Sequence, residues 1–336
     1  MKAVIFQGDP AGGLLPREQV VERWEQRMKE LPEISYQIVY EDHFFSPEEI
    51  SGYLEDAEIA LGVYINSTIL SEAYLARHPK LKYLAVPAHG FADVDFGPSR
   101  EHGLVVTNTV YGEYTIAQYA FALLLEVCHR AGMHSDRLKT TEFHEKSSLD
   151  DFTKIYTPQI DLEGKTVGVI GLGHIGLRFA RMAQAFGMNV IAYSRHKKNG
   201  PEYDGIEQVS LDELLGRSDV ISLHAPANRE SEGMICKETI AKMKDGVILI
   251  NTARGALIQE EDLIEALQSG KVYGAGLDVI RQEPPKGHVP LFDLENVVVT
   301  PHIAWLPDSA RFKEVDVMVE NLKAWLGGTP KSVING

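Results

Sequence analysis

Cysteine is scarce in this sequence, which has two cysteines, Cys128 and Cys236, among 336 residues. They lie far apart, and no cysteine and histidine occur at the spacing of a metal site. This excludes a disulfide framework and a structural zinc, so we predict no metal. We expect both thiols to be reduced and to lie in the core of a cytoplasmic protein.

Long apolar runs and excess positive charge are also lacking. No run approaches the roughly 18 apolar residues that cross a bilayer, and Gly8 and Pro10 interrupt the short apolar start, which argues against a signal peptide. With 33 Lys and Arg against 48 Asp and Glu, the net charge is -15. Nucleic acids and anionic membranes repel such a chain, so we expect neither as a partner. Only a local positive pocket could bind phosphate.

What the sequence does have is a succession of short apolar runs separated by helical stretches. A length of 336 residues, of which 44% are hydrophobic, allows more than one domain core. In the first third of the chain, the alternation predicts a parallel sheet covered by helices. The predicted strands are 2–6, 36–40, 57–63, 82–87 and 104–108.

A second alternation, which begins at residue 166, predicts another and larger doubly wound sheet. Apolar positions at helical spacing predict a terminal helix over 309–326. The strands of the second sheet are predicted at 166–170, 189–193, 219–225, 246–252, 272–279 and 296–300, with helices at 174–186, 210–216, 236–243 and 259–269.

Between the two alternations lies an apolar stretch, residues 112–138. Its residues are apolar around most of the circumference of a helix for several turns. A helix with that pattern has to be buried. We therefore predict one helix here, buried between domains or subunits.

A glycine-rich turn, GLGHIG, follows the strand 166–170 and opens a helix. Gly171 permits a tight turn, Gly173 lets the backbone approach a pyrophosphate, and Gly176 lets helix and strand pack closely, with the phosphate at the helix N-terminus. A glycine turn without a ligand is the alternative, which the strand-turn-helix setting disfavours. The predicted dinucleotide-binding residues here are Gly171, Gly173, His174, Ile175 and Gly176.

Five motifs together resemble those of the D-isomer-specific 2-hydroxyacid dehydrogenases, in the order and spacing of that family. They are GLGHIG (171–176), HAPANRESEGMI (224–235), NTARG (251–255), GLDVIRQEPP (276–285) and TPHIAW (300–305). The resemblance covers nearly the whole chain. A series of motifs is far more specific than any one of them.

The resemblance implies an α/β protein with two doubly wound parallel-sheet domains. Residues 109–304 would form a Rossmann NAD(P)-binding domain. This domain would be inserted in a flavodoxin-like substrate domain made of residues 1–108 and 305–336, with the reaction in the cleft between them. The family's helix near 112–130 usually joins two subunits, so a homodimer is expected.

Three residues match the family's catalytic positions. The reduction of a 2-keto acid needs a hydride donor, an acid for the developing alkoxide and positive charge for the carboxylate. His302 resembles the general acid, and Glu283 resembles the carboxylate that orients the imidazole and stabilises its protonated form. Arg254 resembles the clamp on the carboxylate and carbonyl oxygens. Taken alone, each of them could be an ordinary surface, loop or helix-start residue. Because all three follow successive strands, their occurrence together favours a catalytic role.

Further residues match the family's contacts with the cofactor, to which Arg254 and His302 would also lie close. Asp278 resembles the aspartate near the nicotinamide carboxamide, and an aspartate that caps a strand end is the alternative. The backbone segments that would pass along the cofactor contain Ala225, Pro226, Thr252 and Ala253.

Basic residues replace the usual acid after the second strand of the cofactor domain. An Asp or Glu there would bind the ribose hydroxyls of NAD and repel a 2′-phosphate. Here Ser194 can donate a hydrogen bond and Arg195 can pair with phosphate, with further positive charge from residues 196–198. This favours NADP as the cofactor. A solvated basic turn in a protein that binds NAD is the alternative.

Two segments of the first domain match the segments that contact substrate in the family. The substrate would also touch Arg254 and His302. In VPAHGFADVD, residues 86–95, the backbone of Ala88, His89 and Gly90 would meet the substrate carboxylate, unless the segment is an ordinary loop. Tyr64 lies where phosphoglycerate enzymes tend to have Arg, so a small unphosphorylated 2-keto acid is favoured.

The motif HIAW, with Trp305, resembles the hydroxypyruvate/glyoxylate reductases, although LPDSAR after it departs from their pattern. We therefore predict an NADP(H)-dependent reductase of that kind. One alternative is an NAD-dependent D-2-hydroxyacid or phosphoglycerate dehydrogenase. Another is a dinucleotide-sensing protein like the corepressors built on this scaffold, which the acidic charge and the lack of Pro/Ser-rich extensions disfavour.

Overall fold

The computed structural model describes residues 1–9, 16–90, 94–140 and 148–336, so residues 91–93 of the predicted substrate segment lie outside the description. The chain divides into two compact units: unit 1 is Met1–Gly112 with Leu306–Gly336, and unit 2 is Glu113–Trp305. The boundaries drawn from the sequence are 108/109 and 304/305. In the described ranges, no helix is long and apolar enough to cross a membrane.

Unit 1 is built on a five-stranded parallel sheet with the strand order β2-β1-β3-β4-β5. This is the flavodoxin-like order that the family resemblance implies. The strands are β1 (Lys2–Gly8), β2 (Ser35–Glu41), β3 (Ile59–Leu61), β4 (Tyr83–Val86) and β5 (Val105–Asn108), and the helices between them are α1 (Arg17–Met28), α2 (Pro47–Tyr53), α3 (Glu72–Ala76) and α4 (Gly97–Glu101).

Strands β1, β3 and β4 of unit 1 are buried on both faces because helices cover both sides of the sheet, whereas much of the edge strand β2 is exposed. Val4 and Phe6 of β1 point into one core, and Ala3 and Ile5 point into another. Helix α1 closes the second core with buried residues about one turn apart, which is the spacing of an amphipathic helix. These residues are Val20, Trp24 and Met28.

Unit 2 is built on a seven-stranded parallel sheet with the order β12-β11-β10-β9-β6-β7-β8. The chain enters at β6, moves outward to β8 and then crosses to the other side of β6. The elements are α5 (Glu113–His129), α6 (Ala131–Leu138), α7 (Leu149–Thr153), β6 (Thr166–Ile170), α8 (His174–Ala185), β7 (Asn189–Tyr193), β8 (Glu207–Gln208), α9 (Leu211–Arg217), β9 (Val220–Leu223), α10 (Lys237–Lys242), β10 (Val247–Asn251), α11 (Glu260–Ser269), β11 (Val272–Leu277) and β12 (Val297–Val299).

The prediction of one helix over 112–138 is wrong. Arg130 adopts a left-handed backbone with φ 50° and separates α5 from α6. The apolar face of α5 packs within unit 2, against α8 and the sheet. Residues of its own unit therefore cover most of the apolar face of α5. The prediction of two core thiols is also only half right, since Cys128 is buried but Cys236 is half-buried at the start of α10.

The chain ends in unit 1 with helix α12 (Asp308–Leu326), close to the predicted range. The predicted apolar positions Val315, Val319 and Leu322 are buried against the sheet and α1. Two charged residues on the first turns of α12, Arg311 and Glu314, are buried as well. The apolar pattern of the sequence did not indicate that these two charged residues are buried.

Candidate active site

The residues that the sequence singles out in unit 2 lie after successive strands of one sheet. Gly171 follows β6, Ser194 follows β7, Arg254 follows β10 and His302 follows β12. Because all described strand pairs of this sheet are parallel, the carboxyl ends share one edge. The strand order reverses between β6 and β9, which is where open α/β sheets bind ligands.

The glycine turn after β6 leaves no room for larger residues on its inner side. Gly171 has φ +100°, and a Cβ there would lie 2.5–2.6 Å from the backbone of His224 and Ala225. A Cβ at Gly176 would lie 2.0 Å from the carbonyl oxygen of Gly171. Gly171 is therefore fixed by the segment that follows β9, and Gly176 is fixed by the close packing of α8 on the strand and turn, which the motif predicts.

The outer side of the same turn fits a dinucleotide. Gly173, the N-cap of α8, makes no side-chain cap, and a Cβ there would meet nothing within 4 Å. The N-terminal amides of α8 are thus open to an anion. The hydroxyl of Thr252, at the same sheet edge, is buried and bonds to no described residue. Polar groups of this kind need a partner, which a bound cofactor would provide.

Arg254 is carried by a turn that its neighbours hold tightly. The side chain of Asn251, fully buried, donates to the carbonyl oxygen of Arg254 at 2.9 Å and accepts from the amide of Ala253 at 3.0 Å. A Cβ at Gly255 would lie 1.9 Å from the carbonyl oxygen of Ile280. Burial lowers the pKa of Arg254, which the nearby Glu283 charge opposes. The guanidinium remains positive because even a lowered arginine pKa lies far above neutral.

His302 and Glu283 form a hydrogen-bonded pair. Imidazole Nδ1 lies 2.6 Å from Glu283 Oε2, and Glu283 Oε1 accepts from the amide of Ile280 at 2.8 Å. Partial burial opposes ionisation of Glu283, but the bonds from His302 and Ile280 and the Arg254 charge outweigh it, so the pKa of Glu283 is lowered. Glu283 is therefore an anion at neutral pH. Because it bonds to Nδ1 of His302, the other ring nitrogen, Nε2, is available for other contacts.

Asp278 braces the segment that carries His302. Its carboxylate accepts from Thr300 Oγ1 at 2.6 Å and from the amides of Ile303 and Ala304, each at 2.9 Å. Its carbonyl oxygen accepts from the amide of His302 at 2.8 Å. These bonds hold His302 at its left-handed φ of 55°. The expected contact of Asp278 with a nicotinamide carboxamide stays a prediction.

The basic run after β7 is exposed. Arg195 is 64% exposed and pairs with Glu230 at 2.7 Å. The Ser194 hydroxyl donates to the carbonyl oxygen of His196 at 2.8 Å. An exposed ion pair of this kind contributes about 0–1 kcal/mol, so a phosphate could displace Glu230 easily.

The substrate residues predicted in unit 1 lie at the carboxyl edge of its own sheet. Tyr64 follows β3, is 39% exposed and packs edge to face on Phe44 at 5.1 Å. After β4, the carbonyl oxygens of Ala88 and His89 accept from the Thr109 amide at 3.1 Å and from the Asn108 amide group at 2.7 Å. Gly90 is the last described residue of this segment.

Sequence reasoning missed the residues that hold the site in place. Asn251, Gly255 and Thr300 lie inside the quoted motifs but carry no reactive group, so chemistry alone did not identify them. Their signal is position: a buried Asn or Thr at a strand end has to bond to something. In this site those bonds fix Arg254 and His302.

One prediction follows from the charge of Glu283. In Glu283→Gln the negative charge beside the imidazole is lost, so the pH at which reduction declines should move downward. A pH profile of kcat/KM measures this, with the exposed Glu232→Gln, at a residue paired with Arg281, as the control. An unchanged profile would remove Glu283 from this role.

Comparison with known proteins agrees with the geometry. A family model, the D-isomer specific 2-hydroxyacid dehydrogenase, NAD binding domain, matches residues 121–304. A hydroxypyruvate reductase from Blautia hydrogenotrophica is 43% identical over 86% of this chain and 88% of that protein. A glycerate dehydrogenase from Methylorubrum extorquens is 35% identical over 86% and 89%. The solved structure of an acyclic imino acid reductase in complex with NADPH and D-Arg matches with TM-score 0.80 and 30% identity, over 99% of this chain and 100% of that one.

Two parallel-sheet α/β units, a glycine turn at a helix start and an imidazole-carboxylate pair define a dinucleotide-dependent oxidoreductase. More narrowly, the chain belongs to the D-isomer specific 2-hydroxyacid dehydrogenase family and acts on the CH-OH group of a 2-hydroxyacid. The family and the fold class predicted from the sequence are confirmed.

Proposed function

We propose that the protein uses NADPH to reduce a small unphosphorylated 2-keto acid of the glyoxylate or hydroxypyruvate kind. The observation that carries the proposal is the 2.6 Å pair of His302 and Glu283 at one strand end, with Arg254 following a nearby strand of the same sheet. An acid, its orienting carboxylate and a carboxylate-binding cation are what keto-acid reduction requires.

The residues have separate tasks in this reaction. His302, held at Nδ1 by Glu283, gives the proton on Nε2 to the carbonyl oxygen and takes it back in the reverse direction. Arg254 binds the substrate carboxylate, and its charge stabilises the developing alkoxide. The glycine turn and Thr252 would hold the dinucleotide, which would supply the hydride when bound.

The substrate class is supported by the relatives and by Tyr64. Hydroxypyruvate reductase and glycerate dehydrogenase name the two directions of one reaction. Tyr64 offers a neutral phenol where a phosphate would need a cation. An NAD-dependent D-2-hydroxyacid or phosphoglycerate dehydrogenase is the second candidate, and a dinucleotide-sensing protein without turnover is the third.

NADP as the cofactor is supported by the exposed Arg195 after β7, with Ser194 beside it and no acid in the run 194–198. A ribose 2′-phosphate would meet positive charge there. The imino acid reductase with a similar fold was solved with NADPH.

A homodimer is supported by exposed apolar side chains on α6, on α7 and just after α7, since patches of this kind often mark protein contacts. These are Met133, Leu138, Leu149, Phe152 and Ile155. Sedimentation equilibrium should give twice the mass of one chain, and a species with the mass of one chain would contradict the dimer.

The proposed function is tested by initial rates of NADPH and NADH oxidation with glyoxylate, hydroxypyruvate, pyruvate, longer 2-keto acids and 3-phosphohydroxypyruvate. We expect the highest kcat/KM with NADPH and one of the first two acids. A preference for NADH or for the phosphorylated acid would favour the second candidate. Oxidation of neither cofactor with any acid would favour the third.

A further inference from the structure

Unit 1 contains a buried polar cluster at the carboxyl edge of its sheet. We call it the edge cluster and define it as the buried residues Asp9, Tyr111, Arg311 and Glu314 together with the partly exposed Tyr64 beside them. Asp9 follows β1 and is 2% exposed, Tyr111 follows β5 and is 5% exposed, and Arg311 and Glu314 on α12 are 6% and 9% exposed. So many buried polar groups lower the stability of the fold unless they bond to each other or to a ligand.

Within the edge cluster, the charge of Arg311 is already balanced. Its Nη2 lies 3.2 Å from Asp9 Oδ1, and Asp9 Oδ2 accepts from the Tyr40 hydroxyl at 2.8 Å. Glu314 is hydrogen-bonded to the Tyr111 hydroxyl. Burial, which outweighs this bond and the Arg311 charge, raises the pKa of Glu314 to about 8. At neutral pH its side chain is therefore largely a carboxylic acid, which can both donate and accept.

The position of Glu314 connects it with substrate recognition. Tyr64, the predicted substrate residue after β3, lies near enough for the Glu314 charge to raise the pKa of Tyr64, in addition to the larger effect of burial. Open α/β sheets of this kind bind ligands at the carboxyl ends of their strands. Glu314 is also carried by the helix that begins shortly after His302 in the chain.

We propose that Glu314 is a specificity-determining residue, whose carboxyl group, together with the Tyr64 phenol, hydrogen-bonds a hydroxyl group on C3 of the 2-keto acid. The inference rests on the proposed function and narrows its substrate class to 3-hydroxy-2-keto acids, of which hydroxypyruvate is the smallest. A methyl group at C3 would leave buried polar groups without partners. A phosphate or second carboxylate would gain little there, because Arg311 is already paired with Asp9 and Glu314 offers no positive charge.

The test measures kcat/KM for hydroxypyruvate, pyruvate and glyoxylate in the full-length protein. We expect the wild type to favour hydroxypyruvate over pyruvate by at least about 100-fold, since a site that binds a substrate hydroxyl is left with an unpaired polar group by the analogue without it. Glu314→Leu should lower that ratio by at least about tenfold and leave glyoxylate, which has no C3, within about threefold. Glu314→Gln, which keeps a donor and an acceptor, should keep most of the ratio.

The control is Asn321→Leu, at a buried polar residue on the same helix that donates to the Asn108 carbonyl oxygen. A purely structural role for Glu314 would predict the same uniform losses in both Leu variants. If Glu314→Leu does not fold, the partly exposed Tyr64→Phe tests the same ratio and should lower it by about fivefold or more.

An unchanged ratio in Glu314→Leu, or in Tyr64→Phe if that variant alone folds, overturns the inference. So does a wild type that reduces glyoxylate but does not favour hydroxypyruvate over pyruvate. In these cases the proposed reductase activity still stands. If the wild type reduces none of the three acids with either cofactor, the proposed function itself has failed.

Discussion

Replacing His302 by Gln should lower kcat/KM for 2-keto acid reduction by about 10²- to 10⁴-fold, the usual contribution of a positioned general acid. Gln can keep a hydrogen bond to Glu283 but cannot transfer a proton at neutral pH. The affinity for NADPH should change by less than about twofold, because the lost interaction belongs to the transition state.

The environment of His302 makes this substitution a test of chemistry rather than of folding. The side chain is 41% exposed, so Gln fills no core position. The left-handed backbone at φ 55° is held by bonds to Asp278 from the amides around it, and these bonds do not involve the imidazole. Gln is not β-branched, so it can adopt this backbone, although His adopts it more often.

The measurement combines steady-state rates with direct titration of NADPH binding. The matched control is His288→Gln, at an exposed histidine whose Nε2 lies 3.0 Å from Asp293, and it should leave both quantities unchanged. Turnover at the wild-type rate in His302→Gln would show that another group supplies the proton.

Replacing Arg195 by Asp should lower the NADPH:NADH ratio of kcat/KM by about 100-fold, because one charge-assisted hydrogen bond to phosphate is lost and a repulsive carboxylate is introduced. Use of NADH should be kept or improved, since an acid at this position accepts from the ribose hydroxyls. The ion pair with Glu230 is exposed, so its loss should cost little stability.

Two controls separate this effect from general electrostatics. Lys242→Asp makes the same change in charge, but Lys242 lies at the C-terminus of α10, just before the amino end of β10. This variant should therefore not alter the NADPH:NADH ratio of kcat/KM. Glu230→Gln frees Arg195 and should raise the ratio modestly. Equal effects of Arg195→Asp on both cofactors would identify the basic run as a solvated turn.

The sequence was sufficient to predict the two sheets because strands that are buried on both faces consist of continuous apolar runs. It also placed Gly171, Arg254 and His302 at one edge, since each follows a strand and parallel strands share their carboxyl edge. The two-residue strand β8 was not predicted because so short a pairing leaves no periodic pattern.

The features that the sequence did not reveal depend on tertiary contacts. The break at Arg130 lies inside an apolar helical pattern, and the left-handed residue is not a glycine; Gly132 lies two residues later, inside α6. Arg311 and Glu314 look like the solvated face of an amphipathic helix, but the sheet edge of unit 1 encloses them. A helical period predicts which residues share a face and does not predict which neighbours will cover that face.

The central claim is that this protein transfers hydride to a 2-keto acid and that His302 supplies the proton. It is tested most directly by incubating the purified protein with NADPH and hydroxypyruvate and by following cofactor oxidation and the chirality of the product. We expect stoichiometric conversion to D-glycerate in the wild type and a loss of about 10²-fold or more in His302→Gln. Formation of L-glycerate, or no oxidation of NADPH or NADH with any 2-keto acid, would contradict the account.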